Sequence, residues 1–202
     1  KTVHSSHCYD LVSPEVALLR AALAGSTGAN LEKFVFLSET TLPIKPFHIV
    51  HEALSATDES DFCLSPKEQW SSIPAVDGVL AKHSQWVVLN RAHADYFSRH
   101  WVPVNSRGCW REGAPHPSLQ GVCPKGCADE YGVVATIFGL LTRSSCAAAS
   151  HLLQRDQCRT LTIWRDEHSL LEKELRKDPD FIMSYDNFNR RPAVFKGIGL
   201  QS

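Results

Sequence analysis

Three short apolar runs constrain this chain most: KFVFLS at 33–38, WVVL at 86–89 and CRTLTIW at 158–164. Each has the length of a buried strand, and each is followed by a stretch with helical spacing. Strands that alternate with helices indicate an α/β fold. After the first run, Phe47, Val50 and Leu54 carry a helix; after the second, Asn90 caps one that runs to about His100 with Ala94 and Phe97 inward. After the third, Asp166–Lys177 forms a charged helix. Upstream, Ser13-Pro14-Glu15 opens a helix with Ser13 as its cap, Leu18, Leu19, Ala22 and Leu23 as its buried stripe, and Gly25 and Gly28 as its stop. Asp61–Leu64 reads as a weak strand, the stretch from there to Ser84 as irregular, and Ala147–Leu153 as a small helix.

One segment breaks the alternation. Roughly 25 residues from Trp101 to Cys127 carry many glycines and prolines and no periodic pattern, and loops of that length in a compact domain are binding loops, lids or disordered. Cys109, Cys123 and Cys127 in or beside the loop argue against disorder. The loop empties into a helix whose stripe is Tyr131, Val134, Phe138 and Leu141, with Asp129 and Glu130 expected in its first turn. Acids at a helix start are commonly plain caps, favoured by the macrodipole. The functional alternative is a carboxylate held ionised at the mouth of a cleft, ready to take a proton.

Totals narrow the classes. The 202 residues suit one domain with a sizeable core, and a net charge of −1 leaves no footprint for nucleic acid or anionic membrane. No run approaches the roughly 18–20 apolar residues of a membrane span. Lys1 is no natural initiator, so a processed or excised piece of a longer protein is expected, with any signal or anchor upstream. Seven cysteines can be buried thiols, but the loop placement of Cys8, Cys109, Cys123 and Cys127 favours an oxidising compartment with two or three disulfides. Zinc is disfavoured, because there is no CxxC pair and Cys123–Cys127 has no matching second pair.

Other constellations have a plain reading beside the functional one. Asp178-Pro179-Asp180 has the D-x-D form by which sugar transferases hold a cation, yet a proline after a charged helix describes a surface turn. Ser38 and Glu39 end a strand where α/β sheets bind ligands, and equally could be ordinary polar strand-end residues. Trp86 could stack on a sugar or sit in the core; Arg91 follows the same strand. Arg159, Arg190, Arg191 and Lys196 suit phosphate oxygens, though a basic pair near a chain end is usually solvated.

Taken together, FVFLSETTLPIKPFHIVHEAL (34–54), HSQWVVLNRAHADYF (83–97), CADEYGVVATIFG (127–139) and CRTLTIW (158–164) resemble the core-2/I-branching β-1,6-N-acetylglucosaminyltransferases, glycosyltransferase family 14, and most of all their plant and algal branch. The likeness spans about residues 13–164 and thins over 165–202. It implies a GT-A-like mixed sheet flanked by helices, here a single partial catalytic domain over 1–202 without the N-terminal donor-binding part. It also implies an inverting, metal-independent transfer of a sugar, N-acetylglucosamine in the mammalian members, from a UDP-sugar to a glycan or glycoprotein acceptor. No cofactor is expected, only the donor substrate. Carried over residue by residue, Glu130 is the base, and Arg159 and Lys196 stand where a metal would meet the diphosphate, with Arg190 and Arg191 as further candidates. Ser38, Glu39, Trp86, Arg91 and Asp129 are the substrate-binding candidates. The resemblance places the full-length protein in the Golgi lumen as a type II membrane protein, touching the membrane only through an upstream anchor. A catalytically silent carbohydrate-binding protein on the same scaffold is the alternative, and a cysteine-stapled secreted protein without a sugar ligand is a third.

Overall fold

A computed structural model of the chain describes residues 3–28, 31–37, 46–65 and 67–142. The expectations at Ser38, Glu39, 147–153, 158–164, 166–177, Asp178, Asp180, Arg159, Arg190, Arg191 and Lys196 lie outside the described residues, as do Cys146 and Cys158.

Helices are mixed with small antiparallel sheets, consistent with an α/β class. In order come α1 (Val12–Ala24), β1 (Lys33–Val35), α2 (Phe47–Ser55), β2 (Ser71–Ile73), β3 (Gly78–Leu80), β4 (Val88–Asn90), α3 (Arg91–His100), α4 (Gly132–Phe138) and β5 (Leu141–Thr142). β1 pairs with β4 with Phe34 opposite Leu89, and β3 lies between β2 and β5. The stretch read as irregular before Ser84 thus holds a β2–β3 hairpin. Its turn ends on Asp77-Gly78, with Asp77 in the left-handed region at φ 46°. Asp61 and Leu64 make only single bridges, to Val88 and His83.

α3 begins as read from the sequence: the His93 amide donates to Asn90 Oδ1 at 2.8 Å, and Ala94 and Phe97 are fully buried. α1 packs on α3 through Val12, Val16 and Leu19, while Leu18, expected inside, is 70% exposed. Ser13 does not cap α1. The Ser13 amide donates instead to Asp10 Oδ1, and the Ser13 hydroxyl accepts from Trp101 Nε1. α2 buries none of its residues among those described, and Phe47 is 79% exposed.

The 101–127 segment carries one turn of 3-10 helix, Pro117–Leu119, and is otherwise irregular. It is nonetheless packed by its own side chains: Trp110 and Leu119 are wholly buried and Val122 nearly so. The Trp110 amide donates to the Val122 carbonyl, and the Gly121 amide donates back to the Trp110 carbonyl. The Cys109–Cys123 disulfide lies beside these bonds and closes the loop on itself. A second disulfide, Cys8–Cys127, ties the loop's end to the N-terminal segment, and Cys63 is also disulfide-bonded. Two further bonds reinforce that tie: the Ala128 amide donates to the Cys8 carbonyl, and the Leu11 amide to Asp129 Oδ1 at 2.8 Å.

Candidate functional site

Asp129 and Glu130 do not lie in the first turn of an α-helix. They belong to a separate 3-10 turn, Ala128–Glu130, and the ladder breaks at Tyr131 (φ −124°, ψ −16°) before α4 starts at Gly132. Two contacts hold the break. The Tyr131 side chain is buried, with its hydroxyl donating to the Lys125 carbonyl at 3.0 Å. Gly132 lies so close to α1 and α3 that a Cβ there would come within 3.0 Å of Trp101 and 3.2 Å of Val12. The dipole account of an ionised Glu130 therefore falls away, because no acid occupies α4's first turn.

The two neighbouring acids face different surroundings. Asp129 is 5% exposed; Oδ1 takes the Leu11 amide, while Oδ2 is buried without a hydrogen-bond partner. Burial pushes its pKa up, the Asp10 charge adds to that, and the Leu11 amide works against both. Partly covered Glu15 on α1 shares this environment: burial first, and then the Asp129 charge, raise its pKa to about 8. Glu130, by contrast, is 37% exposed at its side chain, and Lys82 Nζ holds its Oε2 at 3.1 Å. Accessible and adjacent to a cation, Glu130 is the member of the pair that a substrate could reach.

The partner side of Glu130 comes from the chain that leaves β3. The His83 amide donates to the Glu130 carbonyl at 2.8 Å. The His83 ring bridges further: Nδ1 donates to the Ser84 carbonyl, and Nε2 accepts from the Val133 amide at 3.1 Å, a hydrogen-bond pattern that requires the neutral imidazole. Burial holds its pKa down at about 4, with its backbone bonds opposing only in part.

A groove of about 360 Å³ opens between the β2–β3 hairpin and the 118–125 stretch, with Ile73, Pro74, Val76 and Val122 as apolar lining and Gln120 and Lys125 among the polar groups. Neither Glu130 nor Lys82 lines this groove, but the chain that leaves each wall leads on to one of them. The hairpin exits through Leu80 into Lys82, and the other wall exits through Lys125 and Gly126 toward Glu130. Gly126 has φ +88°, and a Cβ there would stand 3.9 Å from Glu130 Oε2. The Lys125 amide, donating to buried Ser71 Oγ, fixes one wall to the other.

Of the other sequence candidates within the described residues, Trp86 packs against the core, partly buried. Arg91 is engaged by Glu32 at 2.5 Å and by Ser26; the Ser26 hydroxyl, which donates to Glu32 Oε2 at 2.5 Å, and after it Arg91 hold the Glu32 carboxyl below its usual range. Neither is thereby brought to Glu130. Lys82 and His83, which are, carry no local mark that distinguishes them; the Asp77-Gly78 dipeptide, a turn signal within the stretch read as irregular, could have pointed to the chain's return toward them.

The two raised carboxyls give a pH dependence of definite sign. A carboxyl whose folded pKa exceeds its unfolded value contributes stability that is present below the unfolded value and lost as pH rises. For Glu15 the window runs from 4.5 to about 8. Glu15→Gln should therefore stabilise the protein by about 2–4 kcal/mol at pH 8, discounted for partial exposure, and change little at pH 4; thermal unfolding at the two values measures this. His83 acts oppositely in acid, its contribution complete above 6.5 and lost as pH falls toward about 4.

Among the described residues no group of three or more His, Cys, Asp or Glu side chains is placed to hold a metal ion, and no helix is long and apolar enough to cross a membrane. No family model, curated protein or solved structure matches the chain.

Proposed function

We propose that this chain is the catalytic part of an inverting glycosyltransferase of GT-A type, with Glu130 as general base toward an acceptor hydroxyl. The observation that carries the reading is the contrast between adjacent acids: Asp129 is sealed in, while Glu130 is 37% exposed at its side chain with one oxygen already engaged by Lys82. In such a transfer the acceptor oxygen forms its bond to the anomeric carbon while its proton passes to the Glu130 carboxylate. The bond from that carbon to the diphosphate breaks, and its electron pair leaves with UDP. A carboxylate is a weak base, so proton transfer comes late, as the hydroxyl acidifies during bond formation.

The same reading assigns charge stabilisation of departing UDP to Arg159 and Lys196, with Arg190 and Arg191 in reserve, rather than to a cation at Asp178/Asp180. UDP release from UDP-N-acetylglucosamine in the presence of a glycan acceptor tests the proposal. Turnover should survive EDTA unchanged; activity lost in EDTA and restored by manganese would refute the metal-independent form. Glycan-array binding with no UDP release under any condition would favour the silent binding protein instead.

A further inference from the structure

We propose that Lys82 is the positioning residue for Glu130, an inference that rests on the general-base reading. Lys82 is 15% exposed at its side chain and holds Glu130 Oε2 at 3.1 Å, leaving Oε1 for a substrate hydroxyl. Its backbone is anchored independently of Glu130: the Ser65 amide donates to the Lys82 carbonyl at 2.9 Å, and the next residue bridges to Leu64. His83 then grips the Glu130 carbonyl and the Val133 amide, so consecutive residues fasten the carboxylate, the backbone of its own residue and the start of α4. A glutamate has three side-chain torsions, and at 37% exposure packing constrains them only in part. The ammonium adds a fixed contact to the carboxylate itself. A base misplaced by about 1 Å can cost on the order of 10² in rate, which makes this pairing a matter of turnover more than of affinity.

The experiment uses the full-length protein with UDP-N-acetylglucosamine and p-nitrophenyl β-galactoside, and reads turnover together with hydrogen exchange at 126–133. Lys82→Met keeps the apolar stem and removes the ammonium. Turnover should fall about 10–100-fold with KM nearly constant, and exchange at 126–133 should quicken. Lys82→Arg, which restores the cation, should recover most of both. In a Glu130→Gln background the same Lys82→Met change should add nothing further, because the two residues act as a unit. Equal losses in both backgrounds, or unchanged exchange in Lys82→Met, would overturn the proposal. If Glu130→Gln kept full turnover, the general-base reading would fail, and the exchange result would still decide whether Lys82 orders Glu130. Should Lys82→Met misfold, Lys82→Gln, uncharged but able to donate, takes its place in the same comparison.

Discussion

Glu130→Gln is expected to lower turnover by roughly 10²–10⁴ while fold and acceptor affinity stay nearly constant. Glutamine keeps the shape of the side chain, and its amide oxygen can still accept from Lys82, but it cannot take a proton. The ion pair it weakens is partly solvated and contributes about 0–1 kcal/mol, too little to unfold the domain. Asp129→Asn is the control, for a different reason than its sequence position suggests. It is no exposed helix-end charge but a buried carboxyl whose Oδ1 holds the Leu11 amide. Asparagine preserves that acceptor and removes a charge that burial disfavours, so stability should move by no more than about 1 kcal/mol and turnover should persist. Steady-state kinetics beside thermal unfolding separate the two variants. Loss of activity in Asp129→Asn with retention in Glu130→Gln would move the base by one residue.

Removing the Cys8–Cys127 bond should have the largest effect on stability. The pair closes a span of 119 residues, for which the chain-entropy relation gives about 5 kcal/mol. In a domain of this size that corresponds to a fall of about 10–20 °C in Tm. Cys8→Ser with Cys127→Ser should show it by calorimetry, whereas opening the short Cys109–Cys123 loop, of separation 14, should cost about 3 kcal/mol. Titration of thiols in unfolded, unreduced protein provides the prior check: seven free thiols in material from its native compartment would contradict both pairings.

Features fixed by local chemistry were legible in the sequence, and those fixed by distant contacts were not. Asn90 caps α3 with its own side chain three residues from its target, so the start of that helix could be read directly. The start of α4 could not, because Tyr131 breaks the ladder for contacts with Lys125, and Gly132 is squeezed by Trp101 and Val12 from elsewhere in the chain. Leu141 continued the helical stripe on paper, yet it pairs with Val79 in β5, where strand bonding outweighs periodicity. The β2–β3 hairpin was hidden by its low apolar content, Ser-Ser-Ile against Gly-Val-Leu, and only Asp77-Gly78 signalled it. For the site, Glu130 was named from its motif, but Lys82 and His83 come from a segment about 50 residues earlier that the fold folds back against it. Loop-borne cysteines suggested disulfides, but seven residues allow many pairings and nothing local selected Cys8 for Cys127.

The tie between the N-terminal segment and the turn that carries Glu130 has a consequence during biosynthesis. At ribosomal speeds of about 5–20 residues per second, Cys8 emerges roughly 6–24 s before Cys127. For that interval α1 lacks α4, and the Leu11 amide lacks its carboxylate. Cys63, Cys109 and Cys123 all appear first, each a kinetically nearer partner for Cys8 than the native one. Cys8 and Cys63 also adopt left-handed backbone conformations, with φ of 71° and 46°, which non-glycine residues reach at some cost and which a freely emerging chain would seldom sample. Early pairings are thus expected to be wrong ones that must be exchanged before the Cys8–Cys127 bond can form, so the yield of natively paired protein should depend on a thiol–disulfide isomerase more than on the oxidant that first forms the bonds.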